Sequence, residues 1–205
     1  MLDTTRCPVN FRTIHHTFQK WTRAGVFVRA YRSLLELYHR RRRPRYCCLD
    51  SSYVKSVYGR DCTGRNPTDR GRRATKLSAI VDDAGIPFAL TFFTGNTSDY
   101  RTVDQTLADL LVRFEERIPM YTDKGYDSQA VRASLRGAGF LDQVSQRGVR
   151  THPVLNRRRG VVERFFSWMD KYRRLILRYD SLVESYRAFT HLAVIQLIAG
   201  RLPRG

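Results

Sequence analysis

The chain has 205 residues, enough for one medium-sized domain with an appendage, and a hydrophobic content of 42% argues against a disordered protein. Its formal net charge of +18 favours a polyanionic partner, most simply nucleic acid. No apolar run approaches bilayer length and no signal-peptide pattern opens the chain, so we expect a soluble protein that is neither membrane-bound nor exported.

The positive charge is concentrated at the two ends. Residues 1–49 hold 11 basic and 2 acidic side chains, a net +9, and residues 156–205 hold 11 and 4, a net +7. The middle, residues 50–155, is nearly neutral, with 15 basic and 13 acidic side chains. Most of the basic side chains are arginines, which can bind phosphate through paired hydrogen bonds. A bias toward arginine codons would explain the excess of arginine over lysine, but not its clustering.

The four cysteines give little support to a structural zinc site. Cys7, Cys47, Cys48 and Cys62 include no C-x-x-C pair. A reducing compartment fits this pattern best.

The N-terminal region predicts two helices. In the first, between about Thr13 and Gly25, one face carries Ile14, Phe18 and Trp21. A second helix follows from Phe27 to Tyr38. The other side of the first helix carries polar side chains that we expect to face solvent or DNA: His15, His16, Gln19, Lys20 and Arg23.

A basic run, H-R-R-R-R-P-R from His39 to Arg45, follows, and its proline breaks any helix there. We interpret it as a linker whose Arg41, Arg42 and Arg43 can lie along a phosphate backbone. The alternatives are a solvated charge run and a nuclear-import signal. Residues 1–45 are therefore predicted to be a basic, helical DNA-binding segment with its linker, and residues 46–205 a second domain.

The second domain opens with strands. A short apolar strand runs from Tyr46 to Asp50, and a polar loop from Gly59 to Arg73. Two strand-like runs, Lys76 to Val81 and Ile86 to Thr94, flank the turn signal Asp82 to Gly85, which predicts a hairpin.

Helices and strands then alternate. The remaining elements are a helix from about Arg101 to Arg117 capped by Ser98 or Asp99, a strand from Pro119 to Thr122, a helix from about Ser128 to Gly137 or Gly139, a strand from Leu141 to Ser145, and helices from Val161 to Leu177 and from Ser185 to Ala199. Three strands, helix, strand, helix, strand, helix is the order of the RNase H-like fold, an α/β class with a mixed sheet. Trp21 and Trp168 are predicted core residues.

Three carboxylates attract attention within this order. Asp50 ends the first predicted strand and Asp123 the fourth, and these strands are neighbours in an RNase H-like sheet. Adjacent carboxylates repel each other unless a cation lies between them, and magnesium binds oxygen ligands while keeping places for water and phosphate. Glu163 lies roughly 160° from the centre of its helix's apolar stripe, so it is either solvated or directed at a site. Asp127 is expected to cap the helix that begins near Ser128.

Six stretches in the same order resemble the DDE transposases of bacterial insertion sequences, in the group called IS five. They are F-Q-K-W-T-R-A-G-V-F (Phe18 to Phe27), L-D-S-S-Y-V-K (Leu49 to Lys55), T-G-R-N-P-T-D-R-G-R (Thr63 to Arg72), T-G-N-T-S-D (Thr94 to Asp99), Y-T-D-K-G-Y-D (Tyr121 to Asp127) and V-V-E-R-F-F-S-W (Val161 to Trp168). Each motif is weak alone, and together they are specific.

The resemblance implies a transposase that cleaves and joins DNA strands at the ends of an insertion sequence. Asp50, Asp123 and Glu163 would be its catalytic and metal-binding triad, holding two Mg²⁺ ions, with Mn²⁺ as an alternative. Residues 46–205 would be the RNase H-like catalytic domain. The partners would be double-stranded DNA, both transposon ends and target, and a second copy of the chain assembled on DNA. It would act in the bacterial cytoplasm on the nucleoid, or in the nucleus if it came from a eukaryote or its virus.

The sequence departs from the family pattern in two places. In a related group that shows Y-x-x-R-x-x-x-E-x-x-x-x-x-x-K, Arg159 matches the arginine, but Asn156 stands at the tyrosine position and Asp170 at the lysine position, with Lys171 one residue later. Arg159 and Lys171 are candidate DNA contacts. In addition, family members usually carry further helices before the segment that begins near Thr13.

Other interpretations remain open. Arg65 and Asn66 either contact DNA near the site or order a loop. The rival functions are a transposase-derived DNA-binding protein, domesticated or truncated and without transposition activity, and a nuclease without strand transfer.

Overall fold

The computed structural model describes residues 9–150 and 153–202, and one mixed sheet of seven strands organises them. The strands are β1 (Cys47–Ser56), β2 (Gly64–Arg65), β3 (Arg73–Asp82), β4 (Pro87–Thr94), β5 (Ile118–Thr122), β6 (Phe140–Val144) and β7 (Leu177–Arg178). The helices are α1 (Phe11–Arg23), α2 (Val26–Arg41), α3 (Asp99–Ala108), α4 (Gln129–Gly137), α5 (Pro153–Met169), α6 (Arg173–Ile176) and α7 (Val183–Ala199), and a 3₁₀ turn covers Lys124–Tyr126.

Strand β1 lies at the centre of the sheet. It pairs antiparallel with β3 on one side and parallel with β5 on the other, while β4 pairs with β3 and β6 pairs parallel with β5. The short β2 extends β3, and β7 lies parallel to the end of β1. This topology confirms the α/β class and the RNase H-like order of elements.

The hairpin of β3 and β4 is confirmed, and its turn explains why it forms there. The Asp82 carboxylate accepts hydrogen bonds from the backbone N–H of Ala84 and of Ile86, at 3.0 and 2.7 Å. Gly85 has a φ of +82°, a conformation that favours glycine. Both strands are buried along nearly their whole length, so the hairpin forms part of the core.

Helices α3 and α5 cover opposite faces of the sheet. Side chains alternate across a strand, and on β1 the Cys48 thiol contacts the Arg158 carbonyl of α5, whereas the Ser51 hydroxyl contacts Asp99 of α3. Helix α2 packs on α7, and its Tyr31 hydroxyl donates to the carbonyl of Pro87 in β4 at 2.7 Å. The second N-terminal helix therefore belongs to the main core. No helix among the described residues is long and apolar enough to span a membrane.

Two helix predictions had wrong boundaries. Helix α3 ends at Ala108 rather than near Arg117, because the chain turns back onto the sheet, where the N–H of Leu111 donates to the carbonyl of Phe88 at 3.0 Å. Helix α5 begins at Pro153 and ends at Met169 instead of running from Val161 to Leu177. The chain then bends so that β7 can pair with β1 and bury Arg178.

Three further local predictions were wrong. Strand β1 extends to Ser56, so Asp50 lies within it rather than at its end. Trp21 is 49% exposed, because Phe18 takes the place between Phe27 and Phe189 while Trp21 meets only the edge of this cluster at Phe27, and Trp168 is only partly buried. Ser128, not Asp127, caps α4: its side chain accepts a hydrogen bond from the N–H of Val131.

Candidate active site

Asp50 and Asp123 lie side by side on neighbouring parallel strands. The pairing of β1 with β5 aligns Cys47 with Met120 and Cys48 with Tyr121, and the same register continued by two residues places Asp50 beside Asp123. Asp123 directly follows β5, and Asp50 lies two residues after Cys48, the last residue of β1 that pairs with β5. The sequence prediction that these two carboxylates meet is therefore confirmed.

A single arginine from α5 connects the two carboxylates. Arg159 Nη1 lies 3.1 Å from Asp123 Oδ1, and its Nη2 lies 3.8 Å from Asp50 Oδ2. The Arg159 side chain is 13% exposed, and in the described part of the chain its buried Nε has no hydrogen-bond partner. The guanidinium is thus held mainly by its charge.

The surroundings of Asp50 disfavour its negative charge. Burial raises the pKa of Asp50 to about 6; the N–H of Ser51, 2.8 Å from its Oδ1, and Arg159 oppose this rise, while Asp123 and Asp99 add to it. A cation near Asp50 is the arrangement that keeps this carboxylate ionised.

Glu163 occupies the same flank of α5 as Arg159, one helical turn further along, since residues four apart lie on one side of a helix. Its side chain is exposed. In the described residues, no three histidine, cysteine, aspartate or glutamate side chains are close enough together to hold a metal ion. The structure therefore unites Asp50 and Asp123, and it brings Glu163 only to the adjoining helix flank.

The two aspartates fit a divalent cation. Both direct carboxylate oxygens at one positively charged group, and carboxylates are the ligands that Mg²⁺ and Mn²⁺ prefer. Glu163 could add a third carboxylate from α5.

A fourth acidic residue beside this site was missed by sequence reasoning. Asp99 accepts a hydrogen bond from the Ser51 hydroxyl at 2.6 Å and pairs with the buried Lys76 at 2.8 Å. From the sequence we expected Ser98 or Asp99 to cap α3, and Ser98 holds the cap position without a side-chain hydrogen bond. The available signal was T-G-N-T-S-D, which places this aspartate in a family motif.

Several predicted DNA contacts have partners within the protein. Gln19 donates to the Ser185 hydroxyl, and Arg43 pairs with Glu115 and Glu116. Arg42 bonds Tyr38, Asp82 and Asp83. Asn66 is buried, and its side chain accepts from the N–H and hydroxyl of Thr68, so it orders the loop. The other residues predicted for the N-terminal segment, the linker, the loop and the end of α5 are exposed: His15, His16, Lys20, Arg23, Arg41, Arg65 and Lys171.

Known proteins decide which family this arrangement represents. The family model described as transposase DDE domain matches residues 43–198. The chain belongs to this family. The predicted kinship with DDE transposases of bacterial insertion sequences is thereby confirmed, and placement in the IS five group stays a prediction. As a DDE transposase, the chain is a polynucleotidyl transferase that acts on DNA, and enzymes of this family use divalent metal ions.

Two relatives of this DDE transposase are described as transposases for insertion sequence elements. The chain is 32% identical over 143 residues to that of IS402 from Burkholderia cepacia, covering 66% of this chain and 67% of the relative. It is 27% identical over 129 residues to that of IS6501 from Brucella ovis, covering 58% and 93%. Among solved structures, the catalytic domain of the Mos1 mariner transposase has 14% identity and a TM-score of 0.38, covering 85% of this chain and 92% of that one.

Proposed function

We propose that this DDE transposase cleaves DNA at the ends of an insertion sequence and joins the freed 3′ ends to target DNA. The observation that carries the proposal is the side-by-side placement of Asp50 and Asp123, with Arg159 and Glu163 on the flank of α5 beside them. Two adjacent carboxylates, one within β1 and one directly after β5, and a third on a helix form a donor set suited to phosphoryl transfer at a metal centre.

In this proposal, Asp50, Asp123 and Glu163 hold two Mg²⁺ ions. When bound, such ions activate water or a terminal 3′ hydroxyl and stabilise the leaving oxygen. The chain's own contribution is positioning: the Ser51 N–H fixes one oxygen of Asp50, and β1 and β5 fix the spacing of the two aspartates. Arg159 reduces their repulsion and lies where it can bind a phosphate next to the site.

The N-terminal segment, residues 1–45, would contribute to DNA binding through the exposed polar side of α1. His15, His16, Lys20 and Arg23 lie there, and Arg41 extends the basic surface at the end of α2. The partners would be double-stranded DNA, at transposon ends and target, and a second copy of the chain, because two ends must be brought together. The site of action would be the nucleoid in the bacterial cytoplasm.

The test is incubation of the protein with duplexes carrying its own flanking DNA ends, in Mg²⁺, with cuts and joins mapped to the nucleotide. We expect cleavage at defined ends and joined products. Cleavage without joining would indicate a nuclease, and binding without cleavage would indicate a DNA-binding protein derived from a transposase. Nothing in the described residues favours that second candidate.

A further inference from the structure

A groove lined by arginines lies on the other flank of α5 from Glu163. It has a volume of about 530 Å³, and its polar lining comes mainly from Arg45 beside β1 and from three arginines of α5: Arg157, Arg158 and Arg164. Arg157 and Arg164 are seven residues apart, so they lie within about 20° of each other around the helix, whereas Arg159 and Glu163 lie about 130° away.

The groove carries positive charge that the protein does not neutralise. Its one carboxylate, Asp83, already pairs with Arg42 and Arg45, at 2.8 and 2.9 Å. Arg157 and Arg164 are exposed and have no ion pair with any described carboxylate. Like charges gathered without partners favour a bound polyanion.

The floor of the groove holds one arginine rigidly. The Arg158 guanidinium lies over the rings of Tyr46 and Tyr121, 5.4 and 5.0 Å from their centroids, and it contacts the Tyr121 hydroxyl. The two rings pack edge to face, with centroids 5.4 Å apart. A stacked arginine loses little further conformational freedom on binding phosphate, which suits a permanent binding surface.

We propose that this groove binds the sugar-phosphate backbone of DNA that flanks the scissile phosphate. The proposal rests on the proposed function, and it adds a second contact surface that α5 separates from the carboxylates. Arginines bind backbone phosphates without reading sequence, so the groove would hold DNA in place and leave recognition to other surfaces.

The test uses a labelled random-sequence DNA duplex and a salt series. The variant Arg157→Gln/Arg164→Gln is compared with Arg113→Gln/Arg117→Gln, which removes the same charge from exposed positions outside the groove and outside the N-terminal segment. We expect the groove variant to lose about tenfold or more in affinity and to reduce the slope of log affinity against log salt by about 2, one for each lost phosphate contact. The control should keep the wild-type slope.

Equal behaviour of the two variants would overturn the groove proposal while leaving the proposed function intact. A wild-type protein that binds no duplex at all would instead count against the proposed function. Because all four substituted side chains are exposed, unchanged melting temperatures should show that the variants are folded.

A separate observation concerns Asp99, beneath the two aspartates on the other face of the sheet. Its Oδ1 accepts from the Ser51 hydroxyl at 2.6 Å and from Lys76 Nζ at 2.8 Å, and Lys76 is only 1% exposed. Ser51 is also the residue whose N–H holds Asp50.

The second oxygen of Asp99 lies against the turn that follows Asp123. A Cβ placed on Gly125 would come within 3.2 Å of Asp99 Oδ2, so this carboxylate packs directly on the turn. Asp99 therefore contacts both segments that carry the paired aspartates.

We infer that Asp99, held by Lys76, is a positioning residue that fixes the spacing between Asp50 and Asp123. A small displacement of metal-binding carboxylates is costly, because catalysis depends on their geometry. Asp99 would act through Ser51 and Gly125, without touching DNA.

The test is the double variant Lys76→Met/Asp99→Asn, which removes both charges together and avoids leaving the buried Lys76 without its partner. We expect cleavage to fall by about tenfold to a hundredfold at fixed Mg²⁺. The rise in melting temperature that Mg²⁺ produces in the DNA-free protein should shrink, and DNA affinity should stay at the wild-type value.

The matched control is Thr106→Val, which removes a buried hydrogen bond to Ser78 on the same face without touching Asp99. It should lower the melting temperature and keep the full Mg²⁺-induced rise. A folded double variant with wild-type cleavage and a wild-type Mg²⁺-induced rise would overturn the inference.

Discussion

Two arginines, Arg178 and Arg159, are mostly buried against aspartate, yet their surroundings differ. Arg178 is fully buried and all three of its side-chain nitrogens donate hydrogen bonds, to Asp61, to Thr75 and to backbone carbonyls. Arg159 contacts two carboxylates, one at 3.8 Å, and its Nε has no partner in the described part of the chain. A saturated guanidinium stabilises the fold, whereas an unsaturated one retains the capacity to bind a ligand.

The largest expected effect is on catalysis, at the carboxylates that lie beside the unsaturated Arg159. Asp50→Asn, Asp123→Asn and Glu163→Gln should each reduce strand cleavage by about 10³-fold or more, because an amide keeps the shape of the metal ligand without its charge. DNA binding should persist, since it depends on arginines elsewhere. Cleavage of the element's own ends in Mg²⁺ is measured beside binding.

Asp104→Asn is the control for these three, because it makes the same change at an exposed position of α3. It should cleave like the wild type. A folded triad variant with normal cleavage would remove that residue from the proposed triad.

The next effect is on stability, at the saturated arginine. Arg178→Met should lower the free energy of unfolding by about 3–5 kcal/mol, since four backbone carbonyls lose this donor and the Asp61 carboxylate keeps only the N–H of Val183. Arg72→Met, which breaks an exposed pair with Asp69 at 3.6 Å, should cost less than about 1 kcal/mol. Urea denaturation of both variants measures this difference, and equal losses of unfolding free energy would contradict the prediction.

The buried His191 should have a smaller effect on stability, one that depends on pH. Burial, and then Arg187, lower the pKa of His191 to about 4. Between pH 6.5 and 4, His191 is therefore protonated in the unfolded chain and neutral in the folded chain. The free energy of unfolding falls as the pH falls through this window. By pH 5 the loss should be about 2 kcal/mol.

His191→Gln should flatten this slope in urea denaturation at pH 7 and pH 5. His39, whose pKa burial and Arg43 also lower, is the internal comparison. His39→Gln should flatten the slope less, and an unchanged slope in His191→Gln would contradict the prediction.

The smallest effect should come from the unsaturated arginine. Arg159→Gln should cost the metal-free protein about 1 kcal/mol, because the two aspartates lose the charge between them. Mg²⁺ should then raise the melting temperature of this variant more than that of the wild type. An equal rise in the variant and the wild type would contradict the idea that Arg159 and the cation neutralise the same two aspartates.

The order of elements and the meeting of Asp50 with Asp123 were predictable. Apolar runs and turn residues locate the strands, and the family motifs indicate which strands are neighbours in the sheet. The ends of α3 and α5 were not predictable, because distant contacts set them: the Leu111 N–H bonds Phe88, and Arg178 needs its pocket beside β1. Asp99 was considered only as an alternative to Ser98 for the cap of α3, since its partner Lys76 lies on a strand that only folding brings near. Trp21 looked like core because helical periodicity does not say which apolar residue of a helix face becomes buried.

The nine consecutive residue pairs that align β1 with β3 have a consequence for how the chain tolerates change. A strand has a two-residue period, so a slip of one position would exchange Asp50 with Ser51, sending the carboxylate to the α3 face and the hydroxyl to the α5 face. Inserting or deleting a single residue in β1 would thus invert the chemistry of the two faces even where the sheet survived. The register of β1 therefore determines which side chains face α3 and which face α5, and the fold cannot compensate for a shift of one residue in this strand.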